Sequence, residues 1–150
     1  MIALIQRVSS ASVAISGHEH SRIAAGMLIL LGIGNDDDES DVALLSDKCA
    51  NLRIFDDKDG KMNLPLFDVK GEMLIVSQFT LLADARRGRR PSYSNAAPPS
   101  AAIPLYEKFI SACIEKNIAV KTGVFGAEMK ISLVNEGPVT IILDSKALKS

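Results

Sequence analysis

Ten residues, Met73-Leu74-Ile75-Val76-Ser77-Gln78-Phe79-Thr80-Leu81-Leu82, constrain this chain more than any other stretch. The run opens with unbroken apolar residues, the pattern of a strand buried on both faces. It then sets a hydroxyl, an amide, an aromatic ring and a second hydroxyl side by side. A core strand has no packing reason to carry Ser77, Gln78 and Thr80 together, because an unpaired buried polar group costs about 1–3 kcal/mol. Either these side chains bond to one another and to the backbone, or they line a pocket where the strand ends. The remainder of the chain builds the wall behind this stretch or supplies what faces it.

The other apolar runs place the elements around it. Ile2 to Val8 reads as a buried strand with an unusual charge, Arg7, near its end. Ser12 to Ser16 and Glu19 to Ala24 flank Gly17 as a hairpin. Met27 to Ile33 is a second fully buried strand. Gly32 and Gly34 do not make a dinucleotide loop, because the third glycine is missing and Asp36, Asp37 and Asp38 would repel a phosphate. The acidic cluster suits a helix start, with the helix running from about Glu39 to Asn51. Leu52 to Phe55 is expected to be a short strand. Asp56-Asp57-Lys58-Asp59-Gly60 has the wrong ligand spacing for calcium and reads as a turn. Leu66 to Val69 and the opening stretch form a strand pair about Lys70-Gly71.

From Ala83 to Pro99 runs a long loop, and loops of that length are functional or disordered. Ser100 is expected to cap a second helix reaching about Lys116, with Ile103, Tyr106, Ile110 and Cys113 on its apolar stripe. Strands near Ala119 to Thr122 and Lys130 to Val134 flank Gly123-Val124-Phe125-Gly126. Asn135-Glu136-Gly137-Pro138 carries a strong turn signal before a last strand, Val139 to Leu143, and the polar tail beyond Asp144 is expected to fray. Many strands with two helices, not alternating, predict an α+β fold with a largely antiparallel or mixed sheet, in one domain over residues 1–150.

Composition narrows the partners. With 17 basic and 18 acidic residues the net charge is −1, so no global field draws the chain to nucleic acid. Locally, Arg86, Arg87, Arg89 and Arg90 crowd around Gly88. They form either a solvated loop or a seat for phosphates or carboxylates. Cys49 and Cys113 lie too far apart in sequence for a disulfide framework or metal spacing and point to a reducing compartment. No secretory signal and no run near the roughly 20 apolar residues of a membrane span is present, so a soluble, cytoplasmic protein is expected.

The residues also limit the chemistry. The two histidines, His18 and His20, share one face of the first hairpin and lack further metal ligands nearby, so no metal is expected. No acid or base accompanies Ser77 or Thr80 in sequence. An enzyme built this way relies on oriented backbone donors and on chemistry supplied by its substrate. Gly137-Pro138 is either a plain turn or a rigid backbone wall held close to a ligand.

These motifs together resemble the bacterial D-aminoacyl-tRNA deacylases, and the likeness runs from Met1 to about Asp144. Its marks are Ser77-Gln78-Phe79-Thr80-Leu81 and Asn135-Glu136-Gly137-Pro138-Val139-Thr140. Between them come Asn51 to Phe55, Gly60 to Asn63, Gly88 to Ser92 and Gly123 to Met129. Glu136 stands where the family more often has aspartate. The resemblance implies a barrel-like sheet with two main helices and a homodimer. In it Gly137 and a cis Pro138 of one subunit face the pocket beside Ser77, Gln78, Phe79 and Thr80 of the other. Arg7 would steady that loop from across the interface, with Asn135 beside it. Phe79, Phe125, Gly126 and Met129 would surround the terminal adenosine, and Ala97 would floor the pocket.

The implied reaction is hydrolysis of the ester of D-aminoacyl-tRNA, and of glycyl-tRNA, without cofactor. Backbone amides near Phe79 and Thr80 would hold the oxyanion, and the 2′-hydroxyl of the RNA would help activate water. Thr80 has been a candidate nucleophile in the family, but without a local base it reads here as a positioning residue. Aminoacyl-tRNA is the expected partner, with Arg86, Arg87, Arg89 and Arg90 toward the RNA, and no DNA or membrane. The alternatives are a deacylase of relaxed chirality, a non-catalytic tRNA-binding module using the arginine loop, and a plain structural dimer.

Overall fold

The apolar run is a strand with both faces covered. In the computed structural model, which describes residues 1–150, strand β6 (Glu72–Ser77) sends Met73 and Ile75 into one core and Leu74 and Val76 into another. Its neighbours β3 (Gly26–Gly32) and β7 (Ala119–Thr122) both run parallel to it. β1 (Ile2–Ile15) pairs antiparallel with β3 along its first half and with β2 (His18–Ile23) along its second. Its other edge is taken by β8 (Lys130–Asp144), also antiparallel. Ser21 Oγ donates to Thr122 O at 2.9 Å, which ties β2 to β7 and nearly closes the sheet into a barrel. The fold is mixed α+β, as the element pattern predicts.

Two helices cover one face of the sheet. α1 (Glu39–Asn51) contributes Val42, Leu45 and Cys49, and α2 (Pro99–Glu115) contributes Ala102, Tyr106, Phe109 and Cys113. They meet Ala3, Ile5, Met27, Ile29, Met73 and Ile75 of the strands. The opposite face closes on itself around Val8, Ala11, Val13, Ile23, Leu28, Leu74 and Val76. Burying each large aliphatic side chain contributes about 1.5–3 kcal/mol, so the strands that meet in both cores fix the barrel. Burial pushes the Cys113 thiol up to about 12 and also raises Cys49, which leaves both as neutral core groups.

α1 begins as the acidic cluster predicts. The Asp38 side chain accepts from Ser40 N and Asp41 N, and the Asp41 side chain accepts in return from Asp38 N, a reciprocal cap. Elsewhere tertiary context changes the local expectation. Leu66–Val69 is a 3₁₀ turn, not a strand, and the short strand expected at Leu52 shrinks to β4 (Phe55–Asp56), paired with β5 (Met62–Leu64). α2 starts two residues earlier than expected, with Pro98 as the capping position and Pro99 in its first turn, where a missing N–H costs nothing. No side chain caps it, so Ser100 is not its cap. The tail does not fray: Ser145–Lys149 forms α3, anchored by Ser145 N to Met1 O at 2.9 Å and by Lys149 to Asp41 at 2.8 Å.

The largest departure lies in β8. Asn135 to Pro138 is not a turn between two strands, because one strand runs through it. Gln6 pairs with Thr140 and Val8 with Asn135, so the four residues Glu136, Gly137, Pro138 and Val139 stand opposite Arg7 alone. That is a wide bulge in a continuous ladder, and it throws Gly137 and Pro138 out toward solvent. No helix is long and apolar enough to cross a membrane.

Candidate functional site

β6 ends where its polar residues begin. Gln78 leaves the strand conformation at φ −146°, ψ 81°, and Phe79–Leu82 closes into a 3₁₀ turn. Gln78 N still donates to Leu31 O at 2.8 Å, which holds the turn against β3. Gly32 makes that approach feasible: a Cβ there would lie 2.6 Å from Leu82 Cδ2 and 3.0 Å from Gln78 O. The Gln78 amide donates to Thr80 Oγ1, so part of the polar cluster does bond within itself. No side chain caps the turn, and the first N–H groups of any helix lack intrahelical partners, which leaves the amides of Phe79 and Thr80 without a side-chain acceptor.

The facing wall comes from the segment between β7 and β8. Gly123 leaves room for Met129, whose sulfur would stand 2.6 Å from a Cβ placed at 123. Gly126 takes φ +77°, a conformation that favours glycine, in the turn closed by Ala127 N to Val124 O at 3.2 Å. Phe125 packs on Tyr106 with ring centroids 5.8 Å apart. Burial pushes the Tyr106 hydroxyl up to about 12, and this neutral phenol donates to Ile75 O at 3.0 Å behind the pocket. Ala97 is brought in from the long loop by its N–H to Ile33 O at 2.9 Å.

Together these elements enclose a cavity of about 260 Å³. Ser77, Gln78, Phe79, Ala97, Phe125, Gly126 and Met129 line it, so the structure brings seven of the predicted residues into one place. Leu31, Ile33, Val76, Ala102, Ala127 and Ile131 complete the lining and were not assigned to the site from the sequence, because an apolar residue in a run reads as core packing. Thr80 stands behind Gln78, outside the lining. No titratable side chain lines the cavity. His18 and His20 lie exposed on β2, and nowhere do three His, Cys, Asp or Glu side chains gather as a metal site.

A second predicted group assembles separately. Arg7, only 8% exposed, donates from Nε to Glu136 O at 3.2 Å and from Nη1 to Ile54 O at 2.7 Å and Asp56 Oδ1 at 3.3 Å. Asn135 Nδ2 bridges Arg7 O at 3.1 Å and Val139 O at 3.0 Å, closing the base of the bulge. Arg7 therefore braces the bulge within its own chain. The Gly137–Pro138 peptide is cis. Gly137 has φ +119°, and a Cβ there would come within 2.7 Å of Arg7 Nη2 and 2.9 Å of Val139 Cγ2. None of Arg7, Asn135, Gly137 and Pro138 lines the cavity of the same chain.

The arginine loop is closed at its base by a two-way backbone pair, Asp84 N to Ser92 O at 2.8 Å and Ser92 N to Asp84 O at 2.9 Å. Arg86 grips Asp84 with two hydrogen bonds, at 2.9 and 2.6 Å, which hold the Asp84 carboxyl down to about 2. Arg87, Arg89 and Arg90 are exposed and form no ion pair. Just past the clasp, Tyr93 meets Phe79 edge-on, with centroids 5.1 Å apart and planes at 70°.

Known proteins share this arrangement of chain. The family described as D-Tyr-tRNA(Tyr) deacylase matches residues 4–144. A Thermosipho africanus protein named D-aminoacyl-tRNA deacylase is 58% identical over 146 residues, covering 97% of this chain and 98% of its own. A Porphyromonas gingivalis protein of the same name is 56% identical over 146 residues, covering 97% of each. A solved structure titled c-Myc DNA Unwinding Element Binding Protein superposes with a TM-score of 0.90 at 37% identity, covering 96% of this chain and 98% of its own. The match spans the pocket and the Gly137–Pro138 bulge alike, and the chain belongs to the D-Tyr-tRNA(Tyr) deacylase family.

Proposed function

We propose that the protein hydrolyses the ester joining a D-amino acid, or glycine, to the 3′-terminal ribose of tRNA. The observation that carries this reading is a small, mostly apolar cavity with no titratable lining, set beside the Ser77–Thr80 turn in a chain of this family. Its lining carries neither a side-chain base nor a set of metal-ligating side chains, so the chemistry falls to backbone donors and to the substrate. Water attacks the ester carbonyl, the amides of Phe79 and Thr80 hold the developing oxyanion, and the C–O bond to the ribose breaks. The ribose oxygen leaves with a proton, and the neighbouring 2′-hydroxyl helps to activate the water. Phe79, Phe125, Gly126 and Met129 hold the terminal nucleoside, whose base is suited to apolar surroundings.

Chiral selection falls to Gly137 and Pro138. In our reading they enter the cavity of a second copy and leave room for hydrogen or a D side chain while blocking an L side chain. The separation of the bulge from its own cavity supports an arrangement in which two copies complete each site. Ser77 and Gln78 shape the rim, Thr80 positions the Gln78 amide from outside the lining, and Ala97 lies at the floor.

The test is deacylation of matched D-tyrosyl-, L-tyrosyl- and glycyl-tRNA, with and without chelator. Rapid loss of the D- and glycyl esters alone, indifferent to chelator, is the expected result. Loss of the L-ester as well would replace the reading with a deacylase of relaxed chirality. The unpaired Arg87, Arg89 and Arg90 favour one other reading, a tRNA-binding module without turnover, which tRNA binding with no ester loss would establish.

A further inference from the structure

Two aromatic rings stand at the mouth of the cavity without a packing reason. Phe79 is 56% exposed and Tyr93 41% exposed, and they touch edge to face. Phe79 lines the cavity, whereas Tyr93 does not, so the pair leads from the cavity outward. Tyr93 is set in place by the Asp84–Ser92 clasp on one side and by Ala96 N to its own carbonyl, at 3.0 Å, on the other. The same clasp closes the loop that holds Arg87, Arg89 and Arg90. Asp84 neutralises Arg86 alone, and no carboxylate answers the remaining three guanidiniums. From the cavity outward the surface thus offers a ring, a second ring and unpaired positive charge.

A single strand of RNA presents the complementary series, base faces joined by phosphates, and proteins hold such strands with aromatic platforms in basic grooves. We propose that Phe79, Tyr93 and the Arg87–Arg90 loop form a subsite for the unpaired nucleotides immediately 5′ of the terminal one. A base stacks on Tyr93, and the adjoining phosphates lie among Arg87, Arg89 and Arg90. The inference rests on the reading above, in which the terminal nucleoside fills the cavity. Its yield is substrate length: the protein distinguishes a tRNA end from a lone aminoacyl nucleoside through Tyr93.

The experiment compares D-tyrosyl-tRNA with the D-tyrosyl ester of adenosine at several salt concentrations. Tyr93→Ala is expected to raise KM for the tRNA roughly ten- to hundredfold, with kcat kept and the adenosine ester changed by less than about twofold. Tyr93→Phe keeps the ring and restores the tRNA value. Replacing Arg87, Arg89 and Arg90 by alanine is expected to flatten the slope of log KM against log salt by about 2, from three phosphates of a single strand. An equal change on both substrates would mean that Tyr93 only braces Phe79 and would overturn the subsite, as would no change on either. If the wild-type protein cleaves neither ester, the hydrolase reading fails by itself. Anisotropy of a short single-stranded RNA then decides the subsite: weaker binding by Tyr93→Ala supports it, and equal binding removes it.

Discussion

Thr80 and Arg7 show how polar groups in this chain are committed by their neighbours. The Thr80 hydroxyl accepts from the Gln78 amide, and no imidazole or carboxylate lines the adjoining cavity to take its proton. A hydroxyl nucleophile needs such a base, and general-base help is worth about 10²–10⁴ in rate. Thr80→Ala is therefore expected to keep D-tyrosyl-tRNA turnover within about tenfold of wild type, read by single-turnover deacylation. A fall to the uncatalysed rate would make Thr80 the nucleophile and end its assignment as a positioning group. Arg7 looked in sequence like a charge misplaced in a buried strand. It is instead a buried cation whose Nε and Nη1 are engaged by two carbonyls and Asp56, and one of these acceptors, Glu136 O, belongs to the first residue of the bulge.

At the scale of elements, the junction of α1 and α3 illustrates how a local signal gains a distant partner. The reciprocal cap of Asp38 and Asp41 is local, whereas Lys149 reaches Asp41 from the other end of the chain. Burial alone would raise the Asp41 carboxyl, but the Lys149 ammonium, the Ser145 side chain and the Asp38 N–H outweigh it and hold it well below the usual carboxylate range. The folded state therefore favours the ionised form. Its contribution to stability is present above the unfolded value of about 3.9 and is lost as pH falls through the lower folded value. Asp41→Asn is expected to lower the urea midpoint at pH 7 and to flatten its decline below about pH 4. A decline in the variant as steep as in the wild type would assign the acid sensitivity to other carboxylates.

The whole molecule has a long open edge at β8. β8 pairs only with β1, and its 15 residues leave the outer side of the ladder without a partner. Val134 and Ile142 flank the bulge at 56% and 66% exposure. A long free edge with apolar side chains invites a second strand, and a second copy of this chain is the partner that our reading of the bulge requires. Sedimentation of the wild type is expected to give a dimer. Val134→Lys with Ile142→Lys is expected to give a monomer of unchanged far-UV circular dichroism that loses deacylation by more than about tenfold, since each cavity then lacks the Gly137–Pro138 wall. A fully active monomer would show that one chain completes its own site.

Sequence alone determined the features written in short windows. The twofold burial of Met73 to Val76, the capped start of α1, the α+β class and the clustering of polar residues after Val76 all follow from periodicity, caps and burial cost within a few residues. Most of the cavity residues were legible through motifs, whereas Leu31, Ile33 and Ile131 were not, because an apolar residue looks the same in a core and in a pocket wall. Tertiary structure decided the rest. Asn135 to Pro138 has the composition of a turn, but pairing with β1 on both sides keeps it in one strand and turns the excess length into a bulge. The tail became a helix through Met1, Ser40 and Asp41, all more than a hundred residues away in sequence. Arg7 found its acceptors at 54, 56 and 136, and Tyr93 found Phe79, through contacts that no local pattern encodes. Local propensity is worth tenths of a kcal/mol to about 1 kcal/mol per residue, and ladders and cores formed between distant segments outweigh it.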